Sequence, residues 1–363
     1  MSGEDDRWMR RALELAARGL GDTNPNPVVG CVVVRKGRAV GEGFHARAGG
    51  PHAEVLALER AGAAARGATL YVNLEPCAHD GRTPACAPRV AASGVRRVVV
   101  ALRDPNPLVN GRGLALLRRS GIAADVGVLE SEARQINERF LTAARMWRPF
   151  VLLKAALTLD GRIATARGES KWITSPAQRR EARRLRRLHD GVLVGVGTVL
   201  ADDPMLLPEP RVRRPFHRMV LDSHLRIPPS SRLVTSARDA PLWVITQGAP
   251  GPRQRSLEAL GVTVLNAPAS RDRVPLPWAM RELRNRGIWS LMVEGGSEVL
   301  GSFLREELFD QVALFRAPLL LGGRESLPAF GGPDPKRIGD AVRMRPAATS
   351  GKGFEVWYPI REG

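Results

Sequence analysis

The sequence predicts an α/β protein built as two domains that meet near residue 148. Three observations carry that expectation. The chain has 363 residues, more than one hydrophobic core usually organises. Apolar runs of strand length alternate with longer amphipathic stretches through both halves. The alternation halts at Arg148-Pro149 and restarts with the apolar run at 150–156, which predicts domains at 1–147 and 148–363.

In the first half, residues 8–19 read as an amphipathic helix, followed by the turn Asn24-Pro25-Asn26-Pro27 and a strand at 28–34. A glycine-rich turn leads to a second strand. A helix opens near Pro51-His52 and extends to Gly67, and a strand at 68–74 ends at Pro76-Cys77. Another helix and a strand at 96–102 follow, then helices at 113–121 and, unbroken, at 130–147. In the second half, strands at 150–156, 191–195, 218–222, 242–246, 290–294 and 311–317 are interspersed with helices at 176–189, 278–286 and 298–308. No internal repeat is present.

Composition narrows the function classes. No window holds the roughly 18 apolar residues of a membrane helix, and the acidic start Glu4-Asp5-Asp6 is unlike a secretory leader. Three cysteines, Cys31, Cys77 and Cys86, are too few for a disulfide framework and suit a reducing compartment, so a cytoplasmic protein is expected. Cys31 lies in the apolar run Gly30-Cys31-Val32-Val33-Val34 and reads as a buried, inert thiol. The net charge of +18 is nearly all arginine. Its densest run, at 179–188, has the spacing of an amphipathic helix with a solvated basic face. Charge alone does not choose between RNA and a phosphorylated metabolite.

The sharpest constellation is His52-Ala53-Glu54 with Pro76-Cys77 and Cys86. One imidazole and two thiolates leave a fourth tetrahedral position open on Zn²⁺, the geometry of a catalytic site. Glu54, two residues from the histidine, is then the general acid/base rather than a ligand. These residues resemble the zinc deaminase signature, His-x-Glu before Pro-Cys and a second Cys. The insert Ala78-His79-Asp80-Gly81-Arg82-Thr83-Pro84-Ala85 between the cysteines is longer than in nucleic-acid and cytidine deaminases. With it, the chain resembles the deaminase of riboflavin biosynthesis, which removes the 2-amino group from a diaminopyrimidinone ribosyl phosphate. That resemblance implies a cytidine-deaminase-like three-layer α/β/α domain. It also implies substrate contacts from Asn26, His45, His79, Arg82, Asp104 and Asn106, with Arg82 suited to phosphate.

The second half is similar to the reductase of the same pathway, an α/β fold like dihydrofolate reductase. The likeness rests on Leu153-Lys154-Ala155-Ala156-Leu157-Thr158-Leu159-Asp160-Gly161-Arg162, on Gly168-Glu169-Ser170-Lys171-Trp172, on Gly195-Val196-Gly197-Thr198 through Asp202-Asp203-Pro204, and on Val293-Glu294-Gly295-Gly296-Ser297. At Gly295-Gly296 a strand hands over to a helix whose free N–H groups suit a phosphate. Gly195-Val196-Gly197 lacks the third glycine and acidic residue of a Rossmann fingerprint. The resemblance implies NADPH contacts from Trp172, Thr198, Asp202, Ser223 and the run Gly296, Ser297, Glu298, Val299, Leu300, Gly301 and Ser302. It implies substrate contacts from Lys154, Ser170, Arg186, Leu206 and Glu294. Two departures stand out: the arginine expected after Leu206 is displaced to Arg211 or Arg213, and Leu157 replaces a smaller residue.

Taken together, the resemblance implies a bifunctional enzyme, with one Zn²⁺ and with NADPH, acting on phosphorylated pyrimidines as a homo-oligomer, dimer or tetramer. Neither nucleic acid nor membrane is an expected partner. An RNA or nucleoside zinc deaminase with an accessory domain is the rival, and the cysteine spacing weighs against it. A non-catalytic zinc RNA-binding module fits worse: a fourth ligand is missing, and no aromatic RNA platform appears.

Overall fold

A computed structural model describes residues 3–80, 84–105, 109–270, 272–347 and 353–361. The chain divides into two compact units, Met1–Trp147 and Arg148–Gly363. No helix among the described residues is long and apolar enough to cross a membrane.

The first unit runs α1 (Gly3–Ala17), β1 (Gly30–Arg35), β2 (Arg38–Phe44), α2 (Ala53–Ala61), β3 (Thr69–Val72), α3 (Cys86–Ala92), β4 (Arg97–Val100), α4 (Arg112–Arg119), β5 (Ala123–Val126), α5 (Glu130–Ile136) and α6 (Glu138–Met146). Its sheet has the order β2-β1-β3-β4-β5, with β1 antiparallel to both neighbours and β3, β4 and β5 parallel. Alternate side chains of a strand face opposite sides, so the two faces carry separate cores. Cys31, Val33, Leu70 and Val98 pack with Ala57 of α2, Val90 of α3 and Leu117 of α4. Val32, Tyr71 and Val99 pack with Met9 and Ala12 of α1, Ala133 of α5 and Leu141 of α6. This is a three-layer α/β/α unit, and Cys31 is fully buried in it. A Cβ on Gly43 would lie 2.3 Å from the Ala53 carbonyl oxygen, so glycine there lets the start of α2 settle onto β2.

The single helix expected at 130–147 is two, broken at Asn137. Periodicity continues across the break, but the Asn137 side chain is 2 % exposed and bonds the backbone of Val28 rather than its own helix. Strand β5 was also not foreseen; its Ala-Ala-Asp-Val sequence has little strand propensity and lies at the sheet edge.

The second unit comprises β6 (Phe150–Leu157), β7 (Arg162–Ala164), α7 (Pro176–Arg187), β8 (Gly191–Gly195), α8 (Val196–Asp202), β9 (His217–Leu221), α9 (Arg232–Thr235), β10 (Leu242–Gln247), α10 (Pro252–Ala259), β11 (Thr263–Ala267), α11 (Leu276–Asn285), β12 (Ser290–Val293), α12 (Ser297–Arg305), β13 (Gln311–Arg316), β14 (Leu327–Pro328), β15 (Met344–Pro346) and β16 (Glu355–Pro359). Its main sheet has the order β11-β10-β9-β8-β12-β6-β13-β16-β15, parallel as far as β13 and antiparallel beyond. Buried on both faces, the parallel strands read as continuous apolar runs such as Val192-Leu193-Val194. Met280 and Leu283 of α11 and Leu300 and Phe303 of α12 cover one face; Val199 of α8, Leu233 of α9 and Leu257 of α10 lie on the other. Helix α7 starts with a capping box, Ser175 and Gln178, and Pro176 in its first turn. Gly195 is the N-cap of α8, and Gly197 lies in its first turn.

Candidate active sites in the two units

In the first unit, the loop after β3 brings Cys77 to the amino-terminal ends of α2 and α3. His52 is the N-cap of α2 and Cys86 the first residue of α3. His52 Nδ1 lies 3.0 Å from Cys86 Sγ and 3.7 Å from Cys77 Sγ, and one ligand atom from each of the three residues lies within 4.8 Å of the others. Zinc bonds of about 2.0 Å to nitrogen and 2.3 Å to sulfur, at tetrahedral angles, put donors about 3.6 to 3.8 Å apart. The donor set fits zinc in chemistry, and His52 and Cys77 have the spacing, while His52 and Cys86 would part by about 0.6 Å to admit the ion. The bond from the Cys86 thiol, with help from His52 and from the Cys86 N–H that donates to Cys77 Sγ at 3.3 Å, holds the Cys77 thiol down at about 4; the same thiol bond and burial push Cys86 up. Glu54 is 4 % exposed in the first turn of α2, and burial raises its carboxyl to about 7.

Around this cluster, Asn26 Nδ2 lies 3.1 Å from His45 Nε2, and His45 Nδ1 lies 3.0 Å from the Pro51 carbonyl oxygen. That carbonyl only accepts, so Nδ1 carries the proton and Nε2 accepts from the Asn26 amide. His45 is 3 % exposed and packs edge-on against His52 with ring centroids 5.4 Å apart. It thus stands behind Asn26. His79 is half-buried, Asp104 is buried, and Arg82 and Asn106 lie outside the described residues. Sequence reasoning missed Glu75. Its buried carboxylate accepts from the backbone N–H groups of Gly111 at 3.0 Å and Leu114 at 3.1 Å, fixing the start of α4 beside the cysteine loop. A lone carboxylate closing an apolar strand was the available signal.

In the second unit, register pairs Val293 of β12 with both Leu153 of β6 and Leu193 of β8, so Glu294 emerges beside Lys154 at the carboxyl end of the sheet. Arg186 of α7 donates to Glu294 through Nε (2.5 Å) and Nη2 (3.1 Å), and to the Leu207 carbonyl through Nη1 (2.9 Å). Lys154 Nζ is 3.6 Å from Glu294 Oε2. Burial alone would raise Glu294, but Arg186 and Lys154 outweigh it and hold the carboxyl below its usual range; burial lowers Lys154. Lys154, Arg186 and Glu294 therefore form one half-buried ionic cluster.

The residues expected at the cofactor separate into groups. Thr198 and Asp202 lie on α8, where Asp202 pairs with Lys171 at 3.0 Å, and the exposed Trp172 lies under the Arg179 guanidinium at 4.2 Å. Ser223 follows β9, its hydroxyl accepting from the Val274 N–H. In the 296–302 run, Gly296 is the N-cap of α12 and Glu298 is exposed in its first turn, while Ser297, Leu300 and Gly301 are buried and Ser302 Oγ bonds back to the Glu298 carbonyl. A Cβ on Gly296 would meet nothing closer than Thr198 Oγ1 at 3.7 Å, which leaves room there for a phosphate. The Leu206 side chain is packed in the core, so only its backbone is available to a ligand. Ser170 is half-buried, Arg211 and Arg213 are exposed, and Leu157 is buried in the core around β6.

Residues 2–102 match the cytidine and deoxycytidylate deaminase zinc-binding region, and residues 149–353 match the RibD C-terminal domain. The riboflavin biosynthesis protein RibD of Bacillus amyloliquefaciens is 42% identical over 355 residues, 97% of this chain and 89% of the relative. The chain belongs to the RibD family. RibD of Aquifex aeolicus is 48% identical over 320 residues, 88% of each. The solved structure of Acinetobacter baumannii RibD superposes with a TM-score of 0.87 at 36% identity, covering 99% of both chains. That of the Thermotoga maritima diaminohydroxyphosphoribosylaminopyrimidine deaminase/5-amino-6-(5-phosphoribosylamino)uracil reductase gives 0.84 at 37%, covering 98% of this chain and 99% of the other. As a RibD member the chain is an enzyme of riboflavin biosynthesis, with a zinc-binding deaminase domain and a reductase domain.

Proposed function

We propose that residues 1–147 deaminate 2,5-diamino-6-ribosylamino-4(3H)-pyrimidinone 5′-phosphate and that residues 148–363 reduce the ribosyl group of the resulting uracil to ribityl with NADPH. The observation that carries the first half is the convergence of His52, Cys77 and Cys86 beside a buried Glu54. Zinc held by those three residues supplies water activated as a nucleophile near neutral pH. Glu54, its carboxyl raised by burial, would carry two protons in turn: one from the attacking water to the ring nitrogen, and then the hydroxyl proton of the tetrahedral adduct to the amino group, which leaves as ammonia. Asn26 fixes the pyrimidine with the amide oxygen that His45 leaves free. The family resemblance supports further contacts to base, sugar and phosphate from His79, Asp104, Arg82 and Asn106.

In the reductase, NADPH supplies the hydride for C1′. The first turn of α12, Thr198, Asp202, Trp172 and Ser223 hold the cofactor at the carboxyl ends of β8, β9 and β12, where open α/β sheets bind ligands. Arg186, Glu294, Lys154, Ser170 and the backbone at Leu206 hold the sugar phosphate. Lys154 and Glu294, 3.6 Å apart, are the titratable pair able to exchange a proton with the opening ribose. Arg211 and Arg213 take the part of the displaced phosphate arginine. A homo-oligomer is supported by the exposed leucines Leu159, Leu319 and Leu320, which lie close together where the Leu159 N–H meets the Leu319 carbonyl.

The test is to give the purified protein the diaminopyrimidinone phosphate and follow ammonia and NADPH together. Ammonia release that precedes NADPH oxidation is expected. Release of ammonia from cytidine or an RNA adenosine instead would overturn the substrate assignment.

A further inference from the structure

Val28 lies two residues after Asn26 and two before the start of β1, inside the core, where its peptide groups have no strand partner. A buried peptide N–H or C=O without a partner is costly. Both groups are met by side chains. Val28 N–H donates to Asn137 Oδ1 at 2.9 Å, and the Val28 carbonyl accepts from Asn137 Nδ2 at 3.0 Å. A second carboxamide adds to the clamp: Asn73 Nδ2 donates to the same carbonyl at 3.0 Å, and Asn73 Oδ1 accepts from Gly30 N–H at 2.8 Å. Asn73 and Asn137 are 0 % and 2 % exposed. Asn137 thus presents to Val28 the donor-and-acceptor edge that a neighbouring strand would, from a residue that interrupts the helical stretch at 130–147.

The segment so held carries Asn26. Upstream it is held by a turn, Asn26 N–H to the Thr23 carbonyl at 2.8 Å and Thr23 Oγ1 to the Asn26 carbonyl at 3.2 Å, and its side chain meets His45 Nε2 at 3.1 Å, while Pro27 has no N–H to give. Downstream the first backbone anchor is Val28. Asn137 lies beyond residue 102, where the match to the deaminase zinc-binding region ends.

We propose that Asn137 is a positioning residue of the deaminase: its carboxamide stands in for a strand edge at Val28 and thereby fixes where Asn26 meets the pyrimidine. The proposal rests on the deaminase reading above. It makes the α5–α6 segment part of the working deaminase rather than a tether between domains. Loss of the clamp lets Asn26 shift while leaving His52, Cys77, Cys86 and Glu54 in place, because those residues are anchored on α2, α3 and the loop after β3.

The experiment uses the full-length protein with Asn137→Ala and Asn137→Asp; the aspartate keeps the acceptor for Val28 N–H and turns lone pairs toward the Val28 carbonyl. Three readouts are taken: zinc content, steady-state deamination, and hydrogen exchange of the Val28 amide. Expected are unchanged zinc, a KM for the diaminopyrimidinone phosphate raised about tenfold or more with a smaller change in kcat, and faster exchange at Val28. Faster exchange with unaltered KM would overturn the positioning role. A Val28 amide that exchanges rapidly in the wild-type protein would overturn the clamp itself, even where neither variant folds. If the wild-type protein releases no ammonia, the deaminase reading fails instead, and the exchange measurement still decides whether the clamp exists.

Discussion

The deaminase and reductase sites differ in how much chain each requires. The zinc donors and Glu54 all fall between His52 and Cys86, on two helix amino termini and one loop. The residues proposed for the reductase extend from Lys154 to the start of α12, and parallel strands that end side by side bring Lys154 and Glu294 together. A metal ion demands donors within one another's reach, which short local segments can supply. A dinucleotide and a sugar phosphate are long, and their contacts come from the ends of several strands. A compact chelate should fail all at once when one atom is removed. A distributed cradle should fail by degrees.

Removing the metal is the severest test of that contrast. A chelator, or Cys86→Ser with its poorer hydroxyl ligand, is expected to abolish ammonia release and leave NADPH oxidation with the deaminated substrate intact. Zinc analysis alongside both assays checks this; unchanged deamination in protein verified to be metal-free would break it. Next in size is Glu54→Gln, which keeps shape and zinc but removes the proton carrier. Deamination should fall about a thousandfold while reduction holds. Loss of both activities in a folded variant would contradict separate sites.

The same contrast explains what could be read in the sequence. His52, Glu54, Cys77 and Cys86 were legible because their chemistry sits in short motifs. The parallel core strands were legible because burial on both faces leaves plain apolar runs such as Val192-Leu193-Val194. The break at Asn137 was not, since a tertiary bond to Val28 makes it and no local signal marks it. Glu75 did carry a local signal, a lone carboxylate closing an apolar strand, but its partners are backbone groups at Gly111 and Leu114, far away in sequence, so its role was not legible. Strands β15 and β16 escaped notice because they form an antiparallel edge with half-exposed residues such as Met344 and Trp357. His45 was expected at the substrate, and the structure places it against Asn26 through a contact that no sequence spacing marks.

In the reductase, Glu294→Gln should have a graded effect. It leaves the Arg186 and Lys154 cations without their carboxylate, and the turnover of NADPH with the deaminated substrate should drop about a hundredfold. Deamination should be unaffected. A drop as complete as that caused by metal removal would erase the distinction between the two kinds of site.

The smallest expected effect separates glycines kept for the fold from glycines kept for a ligand. A Cβ on Gly295 would lie 2.5 Å from Val299 Cβ, so Gly295→Ala must shift the first turn of α12 and should cost about 1 to 3 kcal/mol. Gly197 differs: it is exposed in the first turn of α8, and an added Cβ meets nothing within 4 Å. Nothing in the fold calls for glycine there, and alanine in a helix should stabilise by about 0.5 to 1 kcal/mol. If glycine is kept at 197 because the cofactor closes on the backbone, Gly197→Ala raises the melting temperature and at the same time raises the KM for NADPH a few fold. A higher melting temperature with unaltered KM would leave the first turn of α12 as the only backbone surface that the cofactor approaches.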